Sequence, residues 1–300
     1  MSARRSAGRP SPRPSAWLSN TLSKEQPRTI AAGEQARSGL RRRIFVPREH
    51  GAWAMWSMPG VIGAGLADGG YTRAAVFLVA VFLLFWARYP VWVWAISRGR
   101  RFPGEAIPGT VLAGAVGLAL MLGLVVFADR PLLLFFAALL VPLVVLQLGL
   151  SRMRRARDIP AELVGIATLG LTGPGAYYVA TGVLAESDAL LAWLLPLLFF
   201  GTSVFYVRLR VEGYASLRRG RSLRSLVAAL LGYQALALAG VGALIAAGLV
   251  GAAVALAYAP VTVQITWLAR GVSAPPRLPR LGVLWVCHAV LFTVLALVLV

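Results

Sequence analysis

From about residue 51 to the end, runs of apolar residues alternate with short polar breaks. An α-helix needs about 20 apolar residues to cross a ~30 Å hydrocarbon core. By that measure the pattern predicts nine transmembrane helices, at 51–67, 74–96, 107–127, 131–150, 160–181, 190–210, 225–246, 248–268 and 281–300. The first is short unless it begins near Val46. The fourth, PLLLFFAALLVPLVVLQLGL, is nearly pure hydrocarbon and opens with a proline, which suits a first helical turn. Residues 223–268 are too long for one helix, and the glycines around 247–251 predict a tight turn between the seventh and eighth. The expected fold is an all-α, polytopic transmembrane bundle over residues 44–300.

Residues 1–43 break the pattern. They are rich in Arg, Ser, Pro and Gly and hold no apolar run, so they are not a secretory signal. Such a composition predicts a disordered basic tail.

Composition agrees with a bilayer rather than water as the solvent. Hydrophobic residues make up 58% of the 300-residue chain and charged residues only 14%, too few to cover a soluble surface of that size. The formal net charge of +19 raises nucleic acid as a partner. The charge lies in clusters between apolar runs, however, and that placement fits topology and lipid headgroups instead. With the N-terminus inside, 27 of the 30 Lys and Arg fall on the inner side and only Arg73 and Arg130 on the outer, while Arg88 sits within the second span. This positive-inside pattern predicts N-terminus in, C-terminus out, and a cytosolic tail. One cysteine and two histidines cannot build a Cys/His zinc site, and no metal or cofactor is expected. Cys287, inside the last run, reads as a small buried hydrophobe.

Polar groups beside hydrocarbon are costly, and they nominate the chemistry. In FVPREHGAWAMWSMPGVIG, residues 45–63, Glu49 and His50 open the first span and Trp53 and Trp56 suit an interfacial belt. Glu49 and His50 read as interface anchors, as ligand contacts or as a catalytic pair. Arg88 lies well before the inner cluster and next to Pro90, which weakens the helix around it. It reads either as a snorkelling arginine or as an anion ligand in a cytosol-facing cavity. At the fourth junction, Arg154 can pair with Asp158, and Asp158 with Glu162 forms a possible Mg²⁺ pair, although Pro160 and Glu162 are also ordinary helix-start residues. TGPGAYY, 172–178, is a Gly/Pro interruption that could line a cavity. Tyr206 and Arg208 are the strongest single ligand candidates, and Arg208 shares a helix face with Glu212. Arg210 is given no partner. Gln147, Gln234 and Gln264 are expected to bond across helices, and His288 to be neutral and hydrogen-bonded. The working site is therefore an anion-binding cavity near the inner interface, lined by Arg88, Arg154, Tyr206 and Arg208 with Glu49 and His50 at its rim.

PREHGAWAMWSMPGVIG at 47–63, ARYPVWVWAISR at 87–98, SRMRRARDIPAELVGIATLGLTGPGAYY at 151–178 and GTSVFYVRLRVEG at 201–213 resemble the YwiC-like family of bacterial integral membrane proteins, from about residue 45 to the C-terminus. The resemblance implies a multi-pass protein of a bacterial cell membrane and little chemistry. A more distant likeness is to UbiA-type prenyltransferases, carried by Arg154, Arg155, Pro160 and Gly165. It implies nine helices and a cytosol-facing cavity. Those enzymes hold Mg²⁺ on aspartate-rich motifs after helices two and six. Here arginines stand at both places, with Glu212 the only acid. Three functions stay open: a membrane protein that binds a lipid phosphate or other anionic amphiphile, a divergent prenyltransferase using Mg²⁺ and an isoprenoid diphosphate, and a small-molecule transporter.

Overall fold

The computed structural model describes residues 50–96, 107–153, 158–184, 186–270 and 278–300. The tail 1–43 predicted from composition lies outside them. Among the described residues there are helices and turns but no strand. In chain order the α-helices are α1 His50–Gly65, α2 Tyr71–Ile96, α3 Ile107–Val126, α4 Leu132–Arg152, α5 Ile159–Gly170, α6 Thr172–Thr181, α7 Glu186–Arg218, α8 Arg224–Ala246, α9 Ala259–Ala269 and α10 Leu278–Leu299. A 3-10 segment, Ala252–Tyr258, leads directly into α9. Taking α5 with α6 and the 3-10 segment with α9, eight helical stretches among the described residues are long and apolar enough to cross a membrane. α1, with 16 residues, is shorter than those eight. The fold is that of a multi-pass integral membrane protein.

Neighbouring crossings run antiparallel, and their contacts sort the connections onto two ends. At one end lie the short turns at 66–70, 127–131, 182–184 and 247–251. There Arg130 Nε donates to Val179 O at 3.1 Å and its Nη1 donates to Ala128 O at 2.8 Å. The Leu132 N–H donates to Tyr178 Oη at 3.3 Å. Gly182, in the left-handed region at φ +84°, closes α6 against the Arg130 guanidinium. The cation thus sits at a helix C-terminus, where free carbonyls favour it. At the other end lie the first described turn of α1, the described ends of α2, α4, α7 and α9, and most of the described arginines. We call these the short-turn end and the basic end.

The core is built on α1, α6, α7, α9 and α10. Residues 173–180 are buried without exception. Two glycines make that possible. A Cβ on Gly63 would collide with the Gly173 carbonyl, and one on Gly173 would collide with the Ala192 carbonyl. Backbones therefore touch, as membrane helices do where small residues face each other. The interruption TGPGAYY is real, since the helix changes at Leu171, but its residues 173–178 are packed rather than open to a cavity. Thr172 Oγ1 donates to Trp56 O at 2.5 Å across the same contact.

A polar thread crosses the bundle centre. Thr202 Oγ1 donates to Gln234 Oε1 at 3.0 Å, Gln234 Nε2 donates to Thr262 Oγ1 at 2.7 Å, and Thr262 Oγ1 donates to Tyr258 O at 2.8 Å. Every group in it finds a partner within the bundle, which is what hydrocarbon demands. Phe199 stacks on Phe292 at 4.2 Å beside it and joins α7 to α10. By contrast α3 and α4 are peripheral. On α4 only Leu133 and Phe136, near the short-turn end, are buried among the described residues. The apolar faces of α3 and α4 are exposed on the outside of the bundle, as suits a surface toward lipid.

Three readings from the sequence need correction. Cys287 is exposed on α10, not buried, because its neighbours Trp285, Ala289 and Phe292 take the inward face. Trp56 is no interfacial anchor: it is 6% exposed, inside an aromatic cluster. α2 runs unbroken through Pro90 to Ile96, so the proline does not interrupt it.

Candidate functional site

The six residues nominated from sequence fall into three groups. Glu49 and Arg154 lie outside the described residues. His50 is the first residue of α1. Arg88, Tyr206 and Arg208 are placed in full.

α1 starts deep. Trp53 lies 5.3 Å from Phe85 and 5.6 Å from Phe82, ring centre to ring centre. Since α1 and α2 are antiparallel, His50 is roughly level with Arg88. α2 continues eight residues beyond Arg88 to Ile96, about 12 Å at 1.5 Å per residue. α7 continues twelve residues beyond Tyr206 to Arg218, about 18 Å. The first described turn of α1 therefore lies at the level of Arg88, inside the described ends of α2 and α7.

Arg88 borders this level. It is half-buried, and its guanidinium carbon stands 4.9 Å from the centre of the Phe85 ring. Phe85 belongs to a quartet with Trp53, Trp56 and Phe82. A desolvated cation on an aromatic face is held by about 1–2 kcal/mol.

Tyr206 and Arg208 do not share one wall. Tyr206 is buried and turns toward α9 and α10: Gln264 Nε2 donates to its Oη at 2.8 Å, and the Trp285 ring meets it edge-on at 5.4 Å. Arg208 turns toward α5. Its Nε is 4.0 Å from Glu162 Oε2 and its Nη1 is 3.7 Å from Glu212 Oε1. The i,i+4 pair with Glu212 is the one expected from spacing. Glu162 was a metal candidate with Asp158. In the structure it faces Arg208, and Asp158 sits exposed at the start of α5. Among the described residues no group of three or more His, Cys, Asp or Glu gathers to hold a metal. Arg208 is thus bracketed by two carboxylates, and an incoming anion would compete with them.

Arg210, given no partner from sequence, is not among the six. It stands one turn from Tyr206 on the same face of α7, half-buried, with its Nε buried and unbonded. The i,i+4 spacing from Tyr206 carried this signal. The cross-helix role given to the glutamines holds for Gln234 and Gln264. His288 Nδ1 lies 2.9 Å from Leu284 O, a hydrogen bond within its own helix.

The geometry defines a helical membrane protein with a layer of arginines and aromatic rings set about two turns inside its basic end. Residues 46–177 match the family model described as YwiC-like protein. The matched stretch covers α1 to most of α6, including the α1–α2 aromatic quartet and Arg88. α7, with Tyr206 and Arg208, lies beyond it. No curated protein and no solved structure matches the chain.

Proposed function

We propose that this integral membrane protein binds an anionic amphiphile, such as a lipid phosphate, at its basic end, with that end toward the cytosol of a bacterial cell. The orientation rests on the charge bias in the sequence: 27 of the 30 Lys and Arg fall in the N-terminal segment and in the loops that the threading assigns to the inner side. One observation carries the ligand reading. Arg88 is held half-buried, about 12 Å from the end of α2, level with the start of α1. A charge kept at that depth nominates a functional site. An anionic headgroup reaching this level would meet the Arg88 guanidinium. The alkyl tail would lie along the apolar surface of the bundle.

Native mass spectrometry of the full chain, released from detergent with added dodecyl phosphate, tests the reading. Wild type is expected to retain the ligand, and Arg88→Gln to lose most of it. Equal retention by both would remove Arg88 from the site. Retention of no acidic or phosphate-bearing ligand by wild type would end the proposal.

A further inference from the structure

Around Tyr206, three polar atoms on three helices are buried without a hydrogen-bond partner: Gln264 Oε1 on α9, Trp285 Nε1 on α10 and Arg210 Nε on α7. We infer that they form a binding site for a phosphate ester that carries a neighbouring hydroxyl group. The inference rests on the reading that an anionic headgroup reaches the basic end, and it adds what that headgroup must look like.

The three atoms gather. Gln264 bonds the Tyr206 hydroxyl through its Nε2. Trp285 packs edge-on against the Tyr206 ring, and Arg210 follows Tyr206 by one helical turn. Trp285 is 6% exposed, so water at the surface does not satisfy its N–H. A bundle surrounded by lipid has little other means of satisfying such groups. Other unbonded polar atoms do not gather in this way. Thr293 Oγ1 stands alone in α10, within a rotation of the Ala289 carbonyl that a helical threonine commonly uses. Trp56 Nε1 lies in the aromatic quartet on the α1–α2 side.

The donor set selects the ligand. Trp285 Nε1 and Arg210 Nε both donate, and Arg210 is always charged, so their complement is an anionic oxygen. Gln264 Oε1 accepts and needs an O–H or N–H. The side-chain amide can also be turned over, with Oε1 accepting from Tyr206 and Nε2 left to donate. A hydroxyl suits both orientations, because it donates and accepts. An alkyl group suits neither. Phosphate oxygens on Arg210 and Trp285 with a hydroxyl on Gln264 satisfy all three atoms. Two sources carry this chemistry: a lipid headgroup such as phosphatidylglycerol, or a free polyol phosphate.

The test uses the full chain in phosphatidylcholine nanodiscs. Binding of glycerol 3-phosphate and of propyl phosphate is followed by tryptophan fluorescence. In parallel, native mass spectrometry compares retention of phosphatidylglycerol with that of phosphatidylmethanol, which lacks the headgroup hydroxyls. Wild type is expected to prefer the hydroxyl-bearing member of at least one pair by about tenfold, the effect of one buried unmatched polar group. The pair that shows the preference identifies the source. Gln264→Leu should cut the preference to about twofold or less, and Trp285→Phe should weaken both members about tenfold. Gln264→Leu also removes the bond from Nε2 to Tyr206 Oη, so each variant is assayed well below its own melting transition. Equal binding of both members by wild type overturns the inference and leaves the anion reading standing. So does a hydroxyl preference that survives undiminished in Gln264→Leu. If no phosphate of any kind binds, both proposals fall together.

Discussion

Gly63→Ala tests the packing on which the bundle depends. The added Cβ would point at the Gly173 carbonyl oxygen and carbon, and its third neighbour, Gly173 Cα, would be 3.1 Å away. All three atoms are backbone, so no side chain can swing aside. α1 and α6 would have to separate by about 1 Å, a gap that forfeits a quarter to a half of the dispersion energy of each contact across it. Overpacking of this kind costs about 1–3 kcal/mol. The 2.5 Å bond from Thr172 Oγ1 to Trp56 O crosses the same contact, and its loss adds about 1 kcal/mol. Gly232→Ala is the matched control. Nothing lies within 4 Å of its Cβ position, and it sits inside α8. Relieving a mid-helix glycine there should gain about 0.5–1 kcal/mol. At about 2–4 °C per kcal/mol, Gly63→Ala should melt about 4–16 °C below wild type and Gly232→Ala about 1–4 °C above it. Thermal scans of detergent-purified protein by tryptophan fluorescence, at one scan rate because unfolding is irreversible in many such proteins, give the comparison. Gly63→Ala melting within a degree of wild type would refute the close α1–α6 approach. A fall at Gly232 as large as that at Gly63 would refute its being open space.

Three further outcomes follow from the structure. Arg130→Leu removes the bonds to Val179 O and Ala128 O and the cation at the end of α6, and should lower stability by about 1–3 kcal/mol, read by the same scans. Replacing Glu162 and Glu212 together by Gln frees Arg208 from both carboxylates, so affinity for dodecyl phosphate should rise about three- to tenfold in a fluorescence titration. An unchanged affinity places Arg208 outside the headgroup site. In a Cys287→Ala background, a cysteine at Ser222 should react with impermeant maleimide only in inside-out vesicles, and one at Asp129 only in right-side-out vesicles. Both reacting from one side would break the alternation of ends.

The apolar pattern made the crossings legible because hydrocarbon thickness fixes helix length. The predicted span 107–127 and the helix Ile107–Val126 nearly coincide, and the turn around 247–251 falls between α8 and the 3-10 segment. The sixth span was cut short at 210 because composition turns polar there. The helix runs on to Arg218, since its polar residues find partners along and across it, as Arg208 does with Glu212 and Glu162. Orientation of side chains was the harder part. Sequence placed Tyr206 and Arg208 in one wall, but two residues turn a helix by about 200°, and the pair faces opposite neighbours. The same arithmetic would have joined Tyr206 to Arg210. The exposed Cys287 shows the limit from the other side: in a helix that is apolar all round, no polar face tells which way the core lies.

The polar groups divide along the bundle by how well they are satisfied, and the division bears on what each half does. In the middle, Gln234 is bonded at both ends of its amide, and toward the short turns Arg130 and Tyr177 have oxygen partners. These groups join helices and leave nothing over for a ligand. About two turns inside the basic end, Gln264 is bonded at one end only, Trp285 packs but does not donate, and Arg210 has its Nε buried and unbonded. Unsatisfied groups on three separate helices are an expensive arrangement for packing alone, since an apolar residue of similar shape at each position would avoid the cost. These groups lower the stability of that layer. A common cause is economical: the layer is shaped for a group that supplies the missing partners when it binds.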